Sequence, residues 1–268
     1  MDQALSRRLE RAEGAVGTSF TAVQQQRAPD VGAMWSDFDG TYAIFDGPDS
    51  PMTQTFGLGL FGAVTPEALS VIEDFFERRG APVTHEVSPL AGIETFALLA
   101  ERGYQPVELS TVLVQEIGDP ADAPPAPLLG VRATEPADLG AWIETSVIGW
   151  SEDPMLADII RAMSETAGAN RTMAHFIVER DGAPVATASM GVHEGVALLA
   201  GASTIPSGRG LGAQGMLLAA RLAEARRRSC EIAMMVTAPG STSQRNAERR
   251  GFRVAYTRTK WRLVRRAG

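Results

Sequence analysis

Apolar and polar positions recur with two different periods along the second half of the chain, and these periods predict a series of strands and helices. Apolar residues spaced three and four apart after Leu211 predict an amphipathic helix that ends near Arg228. Short runs rich in β-branched and aromatic residues predict strands. The predicted strands span residues 130–132, 174–180, 183–192, 196–204, 232–237 and 254–264. The predicted helices span residues 135 to about 166, with an interruption, 211–228 and 241–250.

This order of elements predicts an α/β fold with a mixed sheet. Three strands in succession, with Asp181-Gly182 as a hairpin turn between the first two, favour an antiparallel meander. A helix between the third strand and the next one permits a parallel crossover. Strict alternation of strands and helices, which is typical of a doubly wound parallel sheet, is not present.

The first half of the chain shows the same two periods less regularly. Its predicted helices span residues 2–14, 66–79 and 90–102, and its predicted strands span residues 32–34, 41–45, 84–87 and 108–115. The segments Ala100–Tyr104 and Ala247–Phe252 are similar, and each closes a short helix before a final strand. We therefore interpret the two halves as distant copies of one fold.

A proline-rich segment separates the two halves. Four prolines lie between Gly118 and Pro127, where they can neither continue a helix nor donate to a sheet. The sequence therefore predicts a domain at residues 1–118, a linker at 119–127 and a second domain at 128–268.

The charge, the cysteine and histidine counts and the hydropathy of the chain argue against several classes of protein. The net charge of -7 argues against a nucleic-acid partner or an anionic membrane partner. One cysteine excludes an intrachain disulfide, and three scattered histidines leave little material for a metal site, so no metal is expected. The chain has no apolar run long enough to span a membrane, and its first residues do not form a secretory signal. We expect a cytoplasmic protein.

The strongest candidate for chemistry lies between the strand ending at Thr204 and the next helix. The segment Arg209-Gly210-Leu211-Gly212-Ala213-Gln214 forms a glycine-rich turn that opens a helix. Backbone N–H groups converge at such a turn, and the positive end of the helix dipole favours a pyrophosphate there. Glycine permits the close approach of phosphate oxygens to the backbone. From the residues alone, this segment is either an anion-binding turn or a glycine turn without a ligand.

The same segment resembles the coenzyme A loop of the GNAT superfamily of N-acetyltransferases, whose pattern is Gln/Arg-x-x-Gly-x-Gly/Ala. Arg209 and Gly212 match this pattern, whereas Gln214 replaces the final small residue. A second register from Ser207 fits the glycines but loses the arginine, and Pro206 favours the first register. The helix end at Ala247–Phe252 also resembles the family, so the resemblance covers about residues 131–262. It implies two GNAT-like acyl-CoA N-acyltransferase domains in tandem, the first of them degenerate.

The resemblance implies an enzyme that transfers an acetyl group from acetyl-CoA to an amine of a small-molecule acceptor. A backbone N–H of the strand before the loop would polarise the thioester carbonyl. The oligomeric state is open between a monomer and a homodimer. The residues implied in cofactor binding are Ala202, Ser203, Thr204, Arg209, Gly210, Leu211, Gly212, Ala213, Gln214, Gly215, Ser243 and Asn246.

The chain departs from the family where a proton donor is expected. Many GNAT enzymes have a tyrosine at the position of Ala247 and an asparagine at the position of Gly240. Tyr256 is then the nearest candidate acid, and an ordinary strand tyrosine is its structural alternative. The missing tyrosine keeps open a non-catalytic module that binds acyl-CoA as a sensor. A third alternative, a dinucleotide-dependent oxidoreductase, rests on the G-x-G-x-x-G sequence at Gly57–Gly62.

Overall fold

The computed structural model describes residues 2–118, 129–150 and 157–264. These residues form two compact units, of which unit 1 comprises Met1–Val114 with Val236–Gly268 and unit 2 comprises Gln115–Met235. The helices are α1 (Gln3–Arg27), α2 (Pro66–Glu77), α3 (Ile93–Glu101), α4 (Leu139–Trp150), α5 (Ala157–Ala169), α6 (Ala213–Arg227) and α7 (Thr242–Glu248). The strands are β1 (Met34–Phe38), β2 (Thr41–Phe45), β3 (Gln54–Phe56), β4 (Thr84–Val87), β5 (Tyr104–Glu116), β6 (Leu129–Ala133), β7 (Ala174–Arg180), β8 (Ala183–His193), β9 (Val196–Thr204), β10 (Ile232–Thr237) and β11 (Arg253–Leu263). No helix in the described part of the chain is long and apolar enough to cross a membrane.

Unit 1 is built on a mixed sheet with the strand order β1-β2-β3-β4-β11-β5. Its neighbouring strands are antiparallel except for β3 and β4, which run parallel where Thr55 lies opposite His85. The core includes Leu69 and Phe76 of α2 and Leu99 of α3. Burial of these apolar side chains supplies the main driving force for docking the helices.

The last strand, β11, belongs to unit 1, although the sequence division assigned it to the domain at 128–268. β11 pairs antiparallel with both β4 and β5, so both edges of its backbone are hydrogen-bonded there. The compact units therefore differ from the division predicted from the proline-rich segment. The predicted linker at 119–127 lies outside the described residues.

Helix α1 is longer than the predicted helix at residues 2–14, because it continues to Arg27. Glycine lowers helix propensity, but here two glycines serve close packing. A Cβ on Gly14 would overlap the ring of Tyr42, and a Cβ on Gly17 would lie 2.5 Å from Cδ1 of Ile44. The two glycines therefore bring the helix backbone directly onto β2.

Unit 2 confirms the predicted mixed sheet, with the strand order β10-β9-β8-β7-β6. The strands from β6 to β9 are antiparallel, and β10 runs parallel to β9. The single interrupted helix predicted for 135–166 is two helices, α4 and α5. Both units thus contain a strand, a glycine-containing loop, a helix and a parallel strand, as β3-α2-β4 and β9-α6-β10. The repetition agrees with two copies of one fold.

Candidate functional site

The parallel ladder between β9 and β10 is short, and it leaves one edge of β9 open. Pairing with β10 extends only from Val196 opposite Ile232 to Leu198 opposite Met234. β9 continues to Thr204, and on its other edge it stays paired with β8. Beyond Leu198, β9 therefore has no pairing with β10, and an extended ligand could pair with this edge of the strand, which no other described strand covers.

The loop after β9 starts from a fixed base. The backbone N–H of Ile205 donates to the carbonyl of Val185 on β8 at 3.0 Å. Pro206–Gly208 form one turn of 3-10 helix, and a Cβ on Gly208 would lie 2.9 Å from Cβ of Val185. The glycine therefore lets the loop pack closely on β8.

The next residues form the start of α6 and expose their backbone. Gly210 has a φ of 76° and Gly212 a φ of 90°, values that favour glycine over any side chain. Gly215 and Met216 donate their backbone N–H groups to the carbonyl of Gly212 at 2.9 and 3.2 Å. The earlier N–H groups of the helix have no helical acceptor, and residues 209–212 are exposed. The arrangement is an anion-binding cradle at the positive end of a 15-residue helix.

Thr204, the last residue of β9, contacts both the loop and the first turn of α6. The side-chain amide of Gln214 donates to the Thr204 hydroxyl at 2.8 Å. The Arg209 Nε lies 3.5 Å from the Thr204 carbonyl oxygen, at the limit of a hydrogen bond. Gln214, which departs from the family pattern, therefore bridges the first turn of α6 to the end of β9.

Helix α4 packs against the same strand end on the face opposite to α6. Ser203 contacts α4 and Thr204 contacts α6, since successive side chains of a strand point to opposite faces. The Ser203 hydroxyl lies 3.1 Å from the Thr187 hydroxyl on β8. A Cβ on Gly149 of α4 would lie 2.6 Å from Ser203 Oγ and 3.0 Å from the backbone nitrogen of Thr204. Thr187 and Gly149 were not predicted from the sequence as residues of this site. Thr187 stands at an alternate position of a predicted strand, and Gly149 carried no signal beyond lying in a predicted helix.

The structure brings most of the sequence-predicted site residues together in unit 2. These are Ala202, Ser203, Thr204, Arg209, Gly210, Leu211, Gly212, Ala213, Gln214 and Gly215. The other two, Ser243 and Asn246, lie in α7 of unit 1. Ser243 is exposed, and Asn246 Oδ1 accepts a hydrogen bond from Arg249 at 3.0 Å. Their contact with a cofactor stays a prediction.

Tyr256, the candidate acid, lies in the interior of unit 1. Its hydroxyl donates to Glu10 Oε1 at 2.7 Å, and only 6% of the residue is exposed. Burial and the neighbouring Glu10 carboxylate raise the pKa of Tyr256 well above its ordinary value. A proton donor must reach the departing thiolate, whereas this proton is held by a buried carboxylate. The contacts of Tyr256 therefore favour a structural role over the predicted catalytic one.

The Gly57–Gly62 loop is packed into unit 1. Leu58 and Leu60 are buried, and the carbonyl of Leu60 accepts a hydrogen bond from Arg7 Nε at 2.6 Å. A Cβ on Gly57 would lie 2.9 Å from the carbonyl oxygen of Gly40 and 3.0 Å from the Phe61 ring, so the start of the loop is covered. The apolar side chains of the loop therefore serve packing, and this favours a structural role over nucleotide binding.

Comparison with known proteins identifies the fold. No family model and no curated protein matches the sequence significantly. A GCN5-related N-acetyltransferase (GNAT) from Kribbella flavida superposes on 93% of this chain and 96% of its own, with 18% sequence identity and a TM-score of 0.65. The chain has the GNAT fold. A GCN5-related N-acetyltransferase from Sphaerobacter thermophilus covers 78% of this chain and 71% of its own, at 16% identity and a TM-score of 0.59.

A tandem GNAT protein is also similar over most of the chain. This protein, from the clavulanic acid biosynthesis pathway, covers 85% of this chain and 79% of its own, at 12% identity and a TM-score of 0.59. A tandem GNAT fold agrees with the repeated β-α-β units described above. It supports two GNAT-like domains, the arrangement inferred from the sequence.

Proposed function

We propose that the protein is an acetyl-CoA-dependent N-acetyltransferase, with its cofactor site in unit 2. The observation that carries this proposal is the combination, within a GNAT fold, of the open edge of β9 with the anion cradle at Gly210–Gly215. The cradle suits the diphosphate of coenzyme A, because its backbone N–H groups and the helix dipole both favour anionic oxygens. The open edge suits the extended pantetheine arm, which can pair with Ala202–Thr204 as an added strand.

The proposed chemistry is direct transfer. The amine nitrogen forms a bond to the thioester carbonyl carbon, the carbon–sulfur bond breaks, and the sulfur leaves as a thiolate. A backbone N–H near the end of β9 stabilises the negative charge that develops on the carbonyl oxygen. The nitrogen loses one proton and the thiolate gains one, and we assign both transfers to water. The acceptor is a small primary amine.

Cofactor binding is tested by replacing Gly212 with tryptophan. The large side chain fills the cradle, and a positive φ disfavours it, so we expect the affinity for coenzyme A to fall by at least about tenfold. Gly182→Trp is a matched control, because Gly182 also has a positive φ, has open space around its Cα and lies in the β7–β8 turn. Isothermal titration with coenzyme A measures both variants. Unchanged affinity in Gly212→Trp would remove the cradle assignment.

Catalysis is tested separately by thiol release from acetyl-CoA in the presence of a panel of small amines. We expect at least one amine to raise the rate above hydrolysis and to be recovered as its acetyl amide. Tight binding of coenzyme A without thiol release from any amine would contradict the enzyme and support the acyl-CoA sensor.

A further inference from the structure

Arg221 is a buried cation that has no carboxylate partner among the residues that the structure describes. It lies on the face of α6 that packs in the interior of unit 2, together with Leu217, Leu218 and Ala225, and only 2% of the residue is exposed. Its one hydrogen bond within the described chain runs from Nε to the carbonyl of Leu217 at 3.2 Å, and it forms no salt bridge there. The guanidinium therefore keeps four N–H donors without a partner in the described residues.

Arg258 shows how the same protein treats an equally buried arginine. It forms ion pairs with Glu10, Glu13 and Glu86 at 3.1, 2.7 and 2.9 Å. An isolated charge in the protein interior is costly, and proteins normally pair it or leave it out. Burial lowers the pKa of Arg221 to about 10, so the group is still charged at neutral pH. The buried charge of Arg221 therefore needs an explanation other than packing.

The direction of the Arg221 side chain suggests an explanation. Because Nε donates to the carbonyl of Leu217, the side chain is folded back by one turn toward the start of α6. Leu217 follows Gly212 by five residues, which is about 7.5 Å along a helix. The guanidinium charge therefore lies on the order of 10 Å from the cradle. Because Arg221 is buried, dissolved salt screens its attraction for an anion in the cradle only weakly.

We propose that Arg221 is an electrostatic determinant of cofactor binding, whose unpaired guanidinium attracts the diphosphate held at the start of α6. This inference rests on the proposed function. At about 10 Å and an effective dielectric constant near 20, one unit of charge on the diphosphate changes the dissociation constant by roughly tenfold or somewhat more. The proposal explains why the described residues offer this cation no counter-charge, because the ligand would supply it.

The test compares Arg221→Met with the native protein by two measurements, stability without ligand and affinity for coenzyme A. We expect the methionine variant to be at least as stable as the native protein, since it removes a buried unpaired charge, and to bind coenzyme A about tenfold more weakly. Arg221→Lys keeps the charge and should retain most of the affinity. Leu217→Met, a volume-conserving change on the same face, controls for altered packing and should leave affinity unchanged.

The opposite pattern would overturn the inference: a less stable methionine variant that binds coenzyme A with native affinity shows a purely structural arginine. If Arg221→Met does not fold, Arg221→Gln makes the same comparison. Inorganic pyrophosphate separates this inference from the proposed function. Stabilisation by pyrophosphate that depends on Arg221, without binding of coenzyme A, supports the inference and contradicts the function. Failure of the native protein to bind either ligand contradicts both.

Discussion

Replacing Gly149 with alanine tests how closely α4 must approach the end of β9. The new methyl group would lie 2.6 Å from Ser203 Oγ and 3.0 Å from the backbone nitrogen of Thr204. The hydroxyl can rotate away, but the backbone nitrogen belongs to a strand that β8 holds in place. The helix and the strand end therefore have to separate by several tenths of an ångström.

Two opposing effects set the magnitude. Alanine is favoured over glycine inside a helix by roughly 0.5–1 kcal/mol. Overpacking of a closely packed contact costs typically about 1–3 kcal/mol. We therefore expect a net loss of about 1–2 kcal/mol in the free energy of unfolding. The displaced strand end carries the proposed carbonyl-binding N–H, and misplacement of a reacting group by about 1 Å can cost roughly 100-fold in rate. A shift of this smaller size should lower kcat/KM by about tenfold.

Gly168→Ala is the matched control, because Gly168 also lies in a helix of unit 2 and its nearest neighbours would be 3.7–4.0 Å from the added Cβ. It should stabilise the protein by roughly 0.5 kcal/mol and leave the rate unchanged. Denaturant unfolding and acetyl-transfer kinetics on both variants provide the measurements. If Gly149→Ala is as stable and as active as Gly168→Ala, the close approach of α4 to Thr204 plays no part in the site.

Two further predictions concern the buried charges of unit 1. Tyr256→Phe should lower kcat by less than about threefold while costing about 1–2 kcal/mol of stability, because the buried Glu10 loses a hydrogen bond; a 100-fold loss of kcat at native stability would return Tyr256 to the role of acid. Arg258→Leu should cost about 3–5 kcal/mol, because it leaves Glu10, Glu13 and Glu86 without their shared cation. Burial raises the pKa of Glu10 above its ordinary 4.5, so the folded state holds this proton more tightly and loses stability as pH rises through the folded pKa. Removing Arg258 raises the pKa of Glu10 further, because the arginine charge lowers it. Denaturation of Arg258→Leu at pH 5 and at pH 8 should therefore show the larger loss of stability at pH 8. A loss of stability that does not depend on pH would contradict the explanation.

The sequence predicted the strand, turn and helix around the candidate site of unit 2 well, because their signals are local. A short apolar run defined β9, and the glycines before α6 marked the turn that the structure shows. The start of the helix differed by two residues, at Ala213 instead of Leu211, since Gly212 with its positive φ caps the helix. Each of these features depends on neighbours within a few residues, which periodicity and turn chemistry report directly.

The features that sequence reasoning missed depend on contacts between distant residues. Gly149 matters because it packs against Ser203 and Thr204, which lie more than fifty residues later in the sequence. Arg221 resembled any polar interruption of an apolar stripe until its burial was known. The length of α1 was underpredicted because a glycine in a helix lowers propensity, and only packing against β2 explains why the helix continues. The pattern of apolar and polar positions does not reveal contacts between residues that are far apart in the sequence.

The placement of β11 in unit 1 is also a matter of long-range contacts, in this case of charge. The apolar residues of β11, such as Tyr256 and Trp261, would suit a sheet in either half of the chain. Its charged residues would not, because Arg258 meets Glu10, Glu13 and Glu86, and Lys260 meets Glu86 at 3.3 Å. Glu10 and Glu86 are buried, so without β11 they would be uncompensated charges in the interior. The carboxylates of α1 and β4 therefore favour this strand over an apolar one of equal length, and the contact with Glu10 favours a structural role for Tyr256.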